Sequence, residues 1–118
     1  MHTVIVNTGC NDVMNRECSK LHAELSSLVT TIESLGKKCV LSGPIPDLFN
    51  KSERFSRVWS LHVWLQKYCT TTDAVYISNF DSFWCQSDLF KKDKLHPNTK
   101  GLATLTRNFI NFIAHDLN

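Results

Sequence analysis

Two short polar motifs are the candidates for chemistry. The first is Gly9-Cys10-Asn11-Asp12 and the second is Asp93-Lys94-Leu95-His96-Pro97-Asn98. A histidine can act as a general base, and a carboxylate three residues earlier can fold back and hold the ring in one tautomer. The side-chain amide of Asn11 can donate a hydrogen bond to a developing oxyanion. These residue types suit acyl transfer, with His96 as the base, Asp93 as its carboxylate and Asn11 as an oxyanion donor.

Other interpretations of the same residues stay open at this point. Asn11 and Asp12 could form only a turn and a helix cap after a strand, and Asp93 to Pro97 could form only a turn before a helix. Cys10 is a rival nucleophile, because a nearby helix N-terminus can lower the pKa of a thiol. Side chains alternate along a strand, which directs Cys10 away from Asn11.

The spacing of apolar residues predicts the elements that position these motifs. Residues 3–8 form a β-branched run typical of a strand buried on both faces. Residues 79–95 are predicted to form a long ordered loop, a type of segment that is often functional. Strands are predicted at residues 3–8, 38–42 and 74–77, and helices at residues 16–35, 52–68 and 97–113. Leu102, Leu105, Phe109, Phe112 and Ile113 are predicted to be the buried stripe of the last helix.

Alternation of strand and helix predicts the fold class. Parallel strands need crossover connections, so this order favours an α/β sandwich with a mostly parallel sheet. Ligand sites in such sheets lie beyond the carboxyl ends of the strands, which is where both motifs fall. His2, His22, His62 and His115 show no partner pattern, and we expect them on the surface or on helix faces.

Composition narrows the function classes. The 118 residues are 42% hydrophobic and carry a formal charge of +2 that is spread along the chain, which fits one compact domain and gives no support for nucleic-acid binding. No apolar run approaches the roughly 20 residues that cross a bilayer, and the N-terminus does not resemble a signal peptide, so we expect a cytoplasmic location without a membrane partner. The five cysteines form no C-x-x-C pair, so we expect reduced thiols, no metal and no cofactor.

Several longer motifs carry a resemblance to a known family. The two polar motifs resemble the third and fifth sequence blocks of the SGNH hydrolases. Further motifs resemble the esterase domain encoded in the first open reading frame of vertebrate non-LTR retrotransposons. These are Ser42-Gly43-Pro44-Ile45-Pro46, Glu53-Arg54-Phe55-Ser56-Arg57, Leu61-His62-Val63-Trp64-Leu65 and Asn79-Phe80-Asp81-Ser82-Phe83-Trp84.

The resemblance implies a fold, a reaction and a set of site residues. The fold would be a three-layer, flavodoxin-like α/β/α sandwich, and the reaction would be hydrolysis of a small acyl or acetyl ester by serine acyl transfer. Asp93 and His96 would be the catalytic pair. Asn11 would belong to the oxyanion hole, and Gly9 would be the glycine of its block. Lys94 stands where the family usually has a glycine.

One departure from the family decides what we expect of this chain. Its Gly-Asp-Ser block, which carries the nucleophile, does not occur in the 118 residues. We therefore expect residues 1–118 to form a partial domain that lacks its N-terminal portion and is inactive by itself. The alternative is a non-enzymatic remnant of a mobile-element protein, acting as an interaction module or self-associating through an exposed sheet edge.

Overall fold

The computed structural model describes residues 2–8, 18–49 and 52–116. Three strands alternate with helices along the chain, in the order that the sequence predicts. The elements are β1 (Thr3–Asn7), α1 (Cys18–Ser34), β2 (Lys38–Ser42), α2 (Glu53–Thr70), β3 (Val75–Ile77), α3 (Asn79–Phe83), a 3₁₀ helix (Ser87–Leu89) and α4 (Thr99–Asp116).

The three strands form one parallel sheet with β2 in the centre. Val4 pairs with Cys39 on β2, and Val40 pairs with Val75 on β3. The prediction of an α/β fold with a parallel sheet is confirmed. Burial of the first strand on both faces was wrong, since Ile5 is 42% exposed, whereas its partner Val40 is fully buried. The reason is position, because β1 has only β2 beside it among the described residues.

Helices cover both faces of the sheet and make it a three-layer structure. On one face, Cys39 and Leu41 belong to a core that includes Val29 of α1 and Leu65 of α2. On the other face, Val40 and Ile77 pack against Phe112 of α4. Successive side chains of a strand point to opposite faces, so a strand with both faces buried carries an unbroken apolar run. Residues 39–41 show this pattern.

The helix ends follow from capping residues. Ser52 precedes α2 with an extended backbone, and its hydroxyl oxygen accepts a hydrogen bond from the Phe55 backbone N–H at 2.9 Å. This contact satisfies one of the amide groups that a first turn leaves without a partner. Gly36 follows α1 with φ +74°, the left-handed conformation that ends many helices.

Two local predictions were wrong. The segment 79–95 is not an unbroken loop, because it contains α3 and the 3₁₀ helix, and the rings of Phe80 and Phe83 on α3 are fully buried. In α4, Leu102 and Ile113 are 54% and 48% exposed rather than buried. The helix meets the sheet through the narrower stripe that contains Phe109 and Phe112. No helix in the described ranges has the length and apolar character needed to span a membrane.

Candidate active site

Asp93 and His96 form a tight hydrogen-bonded pair before α4. The Nδ1–H of His96 donates to Asp93 Oδ2 at 2.6 Å, the geometry that the sequence predicts. Asp93 Oδ1 accepts the backbone N–H groups of Leu95 at 2.9 Å and of His96 at 3.0 Å. Both carboxylate oxygens therefore hold the same turn. The Nε2 atom of His96 has no partner among the described residues, and the His96 side chain is 67% exposed.

The charge of Asp93 is stabilised by these contacts. The hydrogen bond from the His96 ring, with further bonds from the backbone N–H groups of His96 and Leu95, holds the pKa of the Asp93 carboxyl well below its usual range. Asp93 thus stays ionised as the pH falls into the range where an ordinary aspartate begins to take up a proton. An ionised carboxylate can only accept hydrogen bonds, so it fixes the proton on Nδ1 of His96. The lone pair of the neutral ring is then on Nε2.

Asp93 and His96 lie on a short loop whose two ends pair in an antiparallel arrangement. Phe90 and Pro97 form an isolated bridge, and the Lys91 N–H donates to the His96 carbonyl at 2.8 Å. Asn98 closes the loop, because its side-chain amide donates to the carbonyl oxygen of Phe90 at 3.0 Å. Its Oδ1 also accepts the Gly101 N–H at 2.9 Å, which makes Asn98 the capping residue of α4.

Lys94 occupies the turn between Asp93 and His96. Its φ is +61°, in the left-handed region that glycine adopts without strain. Lys94, at a position where the sequence resemblance leads us to expect a glycine, therefore adopts a backbone conformation that suits glycine. Its carbonyl accepts the Leu48 N–H at 3.1 Å, and its ammonium lies 5.7 Å from the centre of the Phe49 ring. Residues 48–49, in the segment that follows β2, thus stabilise the turn that contains Lys94.

A small apolar cluster anchors the loop from below. Phe83, Leu89 and Phe90 are buried together, and Leu105 of α4 packs against them. The start of α4 approaches this cluster closely. A methyl group at Gly101 would overlap the Leu89 carbonyl oxygen and would lie 2.8 Å from Pro97 Cβ. The packing therefore fixes the distance between α4 and the loop that carries His96.

A buried polar network lies at the carboxyl ends of the strands. The side-chain amide of Asn79 donates at 2.9 Å both to Ser42 Oγ and to the Gly43 carbonyl oxygen. The Thr8 hydroxyl donates to the Ser42 carbonyl oxygen at 2.7 Å. Together with Leu105 and Phe109 these residues line a cavity of about 310 Å³. Ser42 is only 3% exposed, so its hydroxyl is held in the network.

A second cavity, of about 600 Å³, lies at the opposite end of the sheet, beside Glu33, Lys38 and Asp73. Ligands of open parallel sheets bind at the carboxyl ends of the strands, so we place the candidate site at the smaller cavity and the His96 loop. The predicted residues Gly9, Cys10, Asn11 and Asp12 lie outside the described residues. The convergence of Asn11 with His96 thus stays a prediction.

One buried titratable group was not expected from the sequence. His62 was expected on the surface or on a helix face; it lies on α2, but its side chain is only 2% exposed, and its ring stacks on Phe80 with centroids 4.7 Å apart. Its Nδ1 and the Tyr76 hydroxyl share a hydrogen bond of 2.7 Å, and Asp81 Oδ1 lies 3.7 Å from Nε2. Burial lowers the pKa of His62, and Asp81 opposes that shift. No three potential metal ligands cluster within the ranges that the structure describes.

Comparison with solved structures finds a similar domain. The fold is similar to that of the esterase domain of the ORF1 protein from the zebrafish ZfL2-1 retrotransposon, with a TM-score of 0.76 and 31% sequence identity. The resemblance to a retrotransposon esterase domain is confirmed. The match covers 88% of this chain and 63% of the zebrafish chain, so this chain spans less than two thirds of its relative. No protein-family model matches the sequence, and no curated protein matches it either.

Proposed function

We propose that this chain is an esterase-like hydrolase module of the SGNH type, which supplies the base and carboxylate of a serine esterase site. The observation that carries the proposal is the 2.6 Å hydrogen bond from His96 Nδ1 to Asp93, which leaves Nε2 as a proton acceptor. The similarity to a retrotransposon esterase domain supports the same chemistry. The proposed substrates are small acyl or acetyl esters.

The proposed mechanism assigns each step to an atom. His96 Nε2 takes the proton of a serine hydroxyl while the serine oxygen attacks the ester carbonyl carbon. The imidazolium then returns that proton to the departing alcohol, which leaves an acyl-serine. Water attacks the acyl-serine in the same way, with Nε2 again taking and returning the proton. Asp93 stabilises the imidazolium in both halves, and the Asn11 amide is the proposed donor to the oxyanion.

The nucleophile is the part that these residues do not provide. No Gly-Asp-Ser block occurs in the 118 residues, and Ser42, which ends β2, is buried and hydrogen-bonded. We therefore propose that the 118 residues alone do not hydrolyse esters by serine acyl transfer. A serine hydrolase that loses its nucleophile keeps a residual of at most about 10³–10⁴-fold over water, and only when the rest of the site is intact.

The first experiment measures hydrolysis of 4-nitrophenyl acetate by the purified chain. His96→Ala is compared with His2→Ala, which removes an exposed imidazole that lies before β1 and outside the proposed site. We expect both variants to hydrolyse the ester within about twofold of the unmodified chain, since exposed imidazoles differ little in such reactions. A loss of about a thousandfold in His96→Ala alone would show that a residue within the chain acts as the nucleophile.

A second experiment tests whether Asp93 and His96 act as the carboxylate and base when a serine nucleophile is supplied. In a hybrid protein, this chain replaces the matched part of the zebrafish esterase domain, and the remainder of that domain completes the site. We expect ester hydrolysis that falls by about 10⁴ in Asp93→Asn and by at least as much in His96→Ala. A hybrid with a native circular dichroism spectrum and no turnover would contradict the proposed role of the pair.

A further inference from the structure

The turn that contains Asp93 and His96 is joined to the segment after β2 through Lys94. The Lys94 carbonyl oxygen accepts the Leu48 N–H at 3.1 Å, and the Lys94 ammonium lies 5.7 Å from the centre of the Phe49 ring. Lys94 lies between the carboxylate and the base in the sequence, so a shift of its backbone changes the distance and the angle between them. The position of residues 48–49 therefore influences the geometry of the Asp93–His96 pair.

Asp47 holds residues 48–49 in place. Its Oδ1 atom accepts the Phe49 N–H at 2.9 Å, a side-chain-to-backbone bond that closes a tight turn. Its Oδ2 atom accepts a hydrogen bond from the Ser52 hydroxyl at 3.4 Å. One carboxylate thus joins the turn at Phe49 to the N-terminus of α2.

The side chain of Asp47 is buried, with only 2% of its surface exposed. Arg54 Nε lies 3.8 Å from Asp47 Oδ2, and this nitrogen is buried without a hydrogen-bond partner among the described residues. Burial of a charge is unfavourable unless the charge is paired and hydrogen-bonded. An asparagine could close the same turn at Phe49 without a charge. The turn alone therefore does not account for a buried carboxylate at this position.

The segment between the sheet and Asp47 is rigid. Pro44 and Pro46 follow β2, and both are fully buried. Each proline ring fixes its backbone φ near about −65°, which leaves few free torsions between the strand and Asp47. Leu48 packs against the same buried cluster as Phe90, at the base of the His96 loop. The sheet, Asp47 and the loop are thus connected by a short and well-packed path.

We propose that Asp47 is a positioning residue of the candidate site. It holds residues 48–49 against the turn, and the bond from the Leu48 N–H to Lys94 transmits this constraint to the Asp93–His96 pair. Its effect on catalysis rests on the proposed function, whereas its effect on the turn does not. Misplacement of a catalytic group by about 1 Å can slow a reaction about a hundredfold, so a residue away from the reacting atoms can control the rate.

Asp47→Asn tests the inference in this chain without any turnover. The new side chain keeps one oxygen that can accept the Phe49 N–H, but its NH2 group faces Ser52 and Arg54, which also donate. Residues 48–49 should then move away from the turn. For the neutral His96 ring, the ratio of the Nδ1-protonated to the Nε2-protonated tautomer should fall at least about threefold, because its bond to the carboxylate weakens. Nitrogen-15 NMR of the ring measures this ratio.

Asp73→Asn is the matched control for this measurement. It makes the same chemical change at an exposed position before β3, beside the cavity at the opposite end of the sheet. The His96 tautomer ratio should be unchanged in this variant. A ratio that is also unchanged in Asp47→Asn, or one that falls equally in both variants, would overturn the inference.

The hybrid esterase separates a positioning role from a merely structural one. A misplaced base affects the transition state more than substrate binding, so Asp47→Asn should lower kcat about 10- to 100-fold and change KM by less than about threefold. Val29→Ala removes buried methyl groups from the core on the α1 side of the sheet, and it should leave the kcat of the folded protein within about twofold.

The outcomes in the hybrid distinguish this inference from the proposed function. An unchanged kcat in Asp47→Asn, or a fall that Val29→Ala shares, would overturn the inference and leave the proposed function standing. A hybrid that folds without turnover before any substitution would contradict the proposed function, and the His96 tautomer ratio would still decide the role of Asp47.

Measurements on the unmodified chain keep the inference falsifiable if Asp47→Asn does not fold by circular dichroism. NMR couplings across hydrogen bonds should join the Leu48 nitrogen to the Lys94 carbonyl carbon and the Phe49 nitrogen to the Asp47 carboxyl carbon. Both amide protons should exchange with solvent at least about tenfold more slowly than in an unfolded chain. Absence of either coupling, or exchange as fast as in an unfolded chain, would overturn the inference.

Discussion

At the scale of single residues, the site depends on a turn of four residues. Asp93 accepts hydrogen bonds from the ring and the backbone of His96, so the carboxylate fixes both the position and the tautomer of the base. Lys94 lies inside this turn with φ +61°. A residue with a Cβ atom is strained there by roughly 1–2 kcal/mol, and functional sites often contain such strain.

The strain predicts an order of stability for two variants of Lys94. Lys94→Gly and Lys94→Ala both lose the contact with the Phe49 ring, but only alanine keeps the strain. We expect the glycine variant to be more stable than the alanine variant by about 1 kcal/mol, because relief of strain exceeds the entropy that glycine adds to the unfolded chain. Urea denaturation of both proteins measures the difference. Equal stabilities, or a more stable alanine variant, would show that the turn does not constrain this position.

At the scale of elements, sequence patterns predicted the long helices and the strands but not α3. The apolar spacing of residues 21–35 persists over several turns, and residues 39–41 of the strand at 38–42 form a continuous apolar run. The five residues of α3 are too few to show a helical period, so the segment resembled a loop. The exposure of Leu102 was unpredictable for another reason. It depends on which neighbours cover each side of α4, and spacing within one helix does not contain that information.

The N-terminus of α2 gives a test at the same scale. Ser52→Ala removes the hydroxyl that accepts the Phe55 N–H, and helix caps of this kind contribute about 1 kcal/mol. We expect the free energy of unfolding to fall by that amount. Ser60→Ala, at an exposed position within the same helix, is the control and should change stability by less than about 0.5 kcal/mol. A similar loss in both variants would mean that the cap contributes no specific stabilisation.

At the scale of the whole molecule, contacts between elements that are distant in the sequence determine the burial of side chains that local sequence patterns do not predict. The sequence motif predicted the Asp93–His96 contact because both residues lie within one turn. The contact of His62 with Tyr76 joins α2 to β3 and links residues that are 14 positions apart in the sequence. No local sequence pattern predicts it. Burial of the pair raises the pKa of Tyr76 and lowers that of His62. Both side chains thus stay uncharged in the folded protein at neutral pH.

This buried histidine predicts a pH dependence of stability. Since the folded pKa of His62 is lowered, the unfolded chain binds a proton that the folded protein excludes. Stability should therefore be highest above the unfolded pKa of about 6.5 and should fall as the pH drops below it, by at most about 1.4 kcal/mol per pH unit. Thermal unfolding between pH 7.5 and about pH 5 measures the slope. His62→Gln should have a shallower slope than the unmodified chain, and an unchanged slope would contradict this assignment.

The central claim is that Asp93 holds His96 with its proton on Nδ1 and with Nε2 as the free base. Nitrogen-15 NMR of the histidine rings tests it directly, because protonated and unprotonated ring nitrogens differ widely in chemical shift. At a pH where the ring is neutral, we expect a protonated Nδ1 and an unprotonated Nε2 for His96, and a loss of that preference in Asp93→Asn. The exposed His2 serves as the internal reference. A neutral His96 with its proton on Nε2, or a tautomer unaffected by Asp93→Asn, would contradict the account.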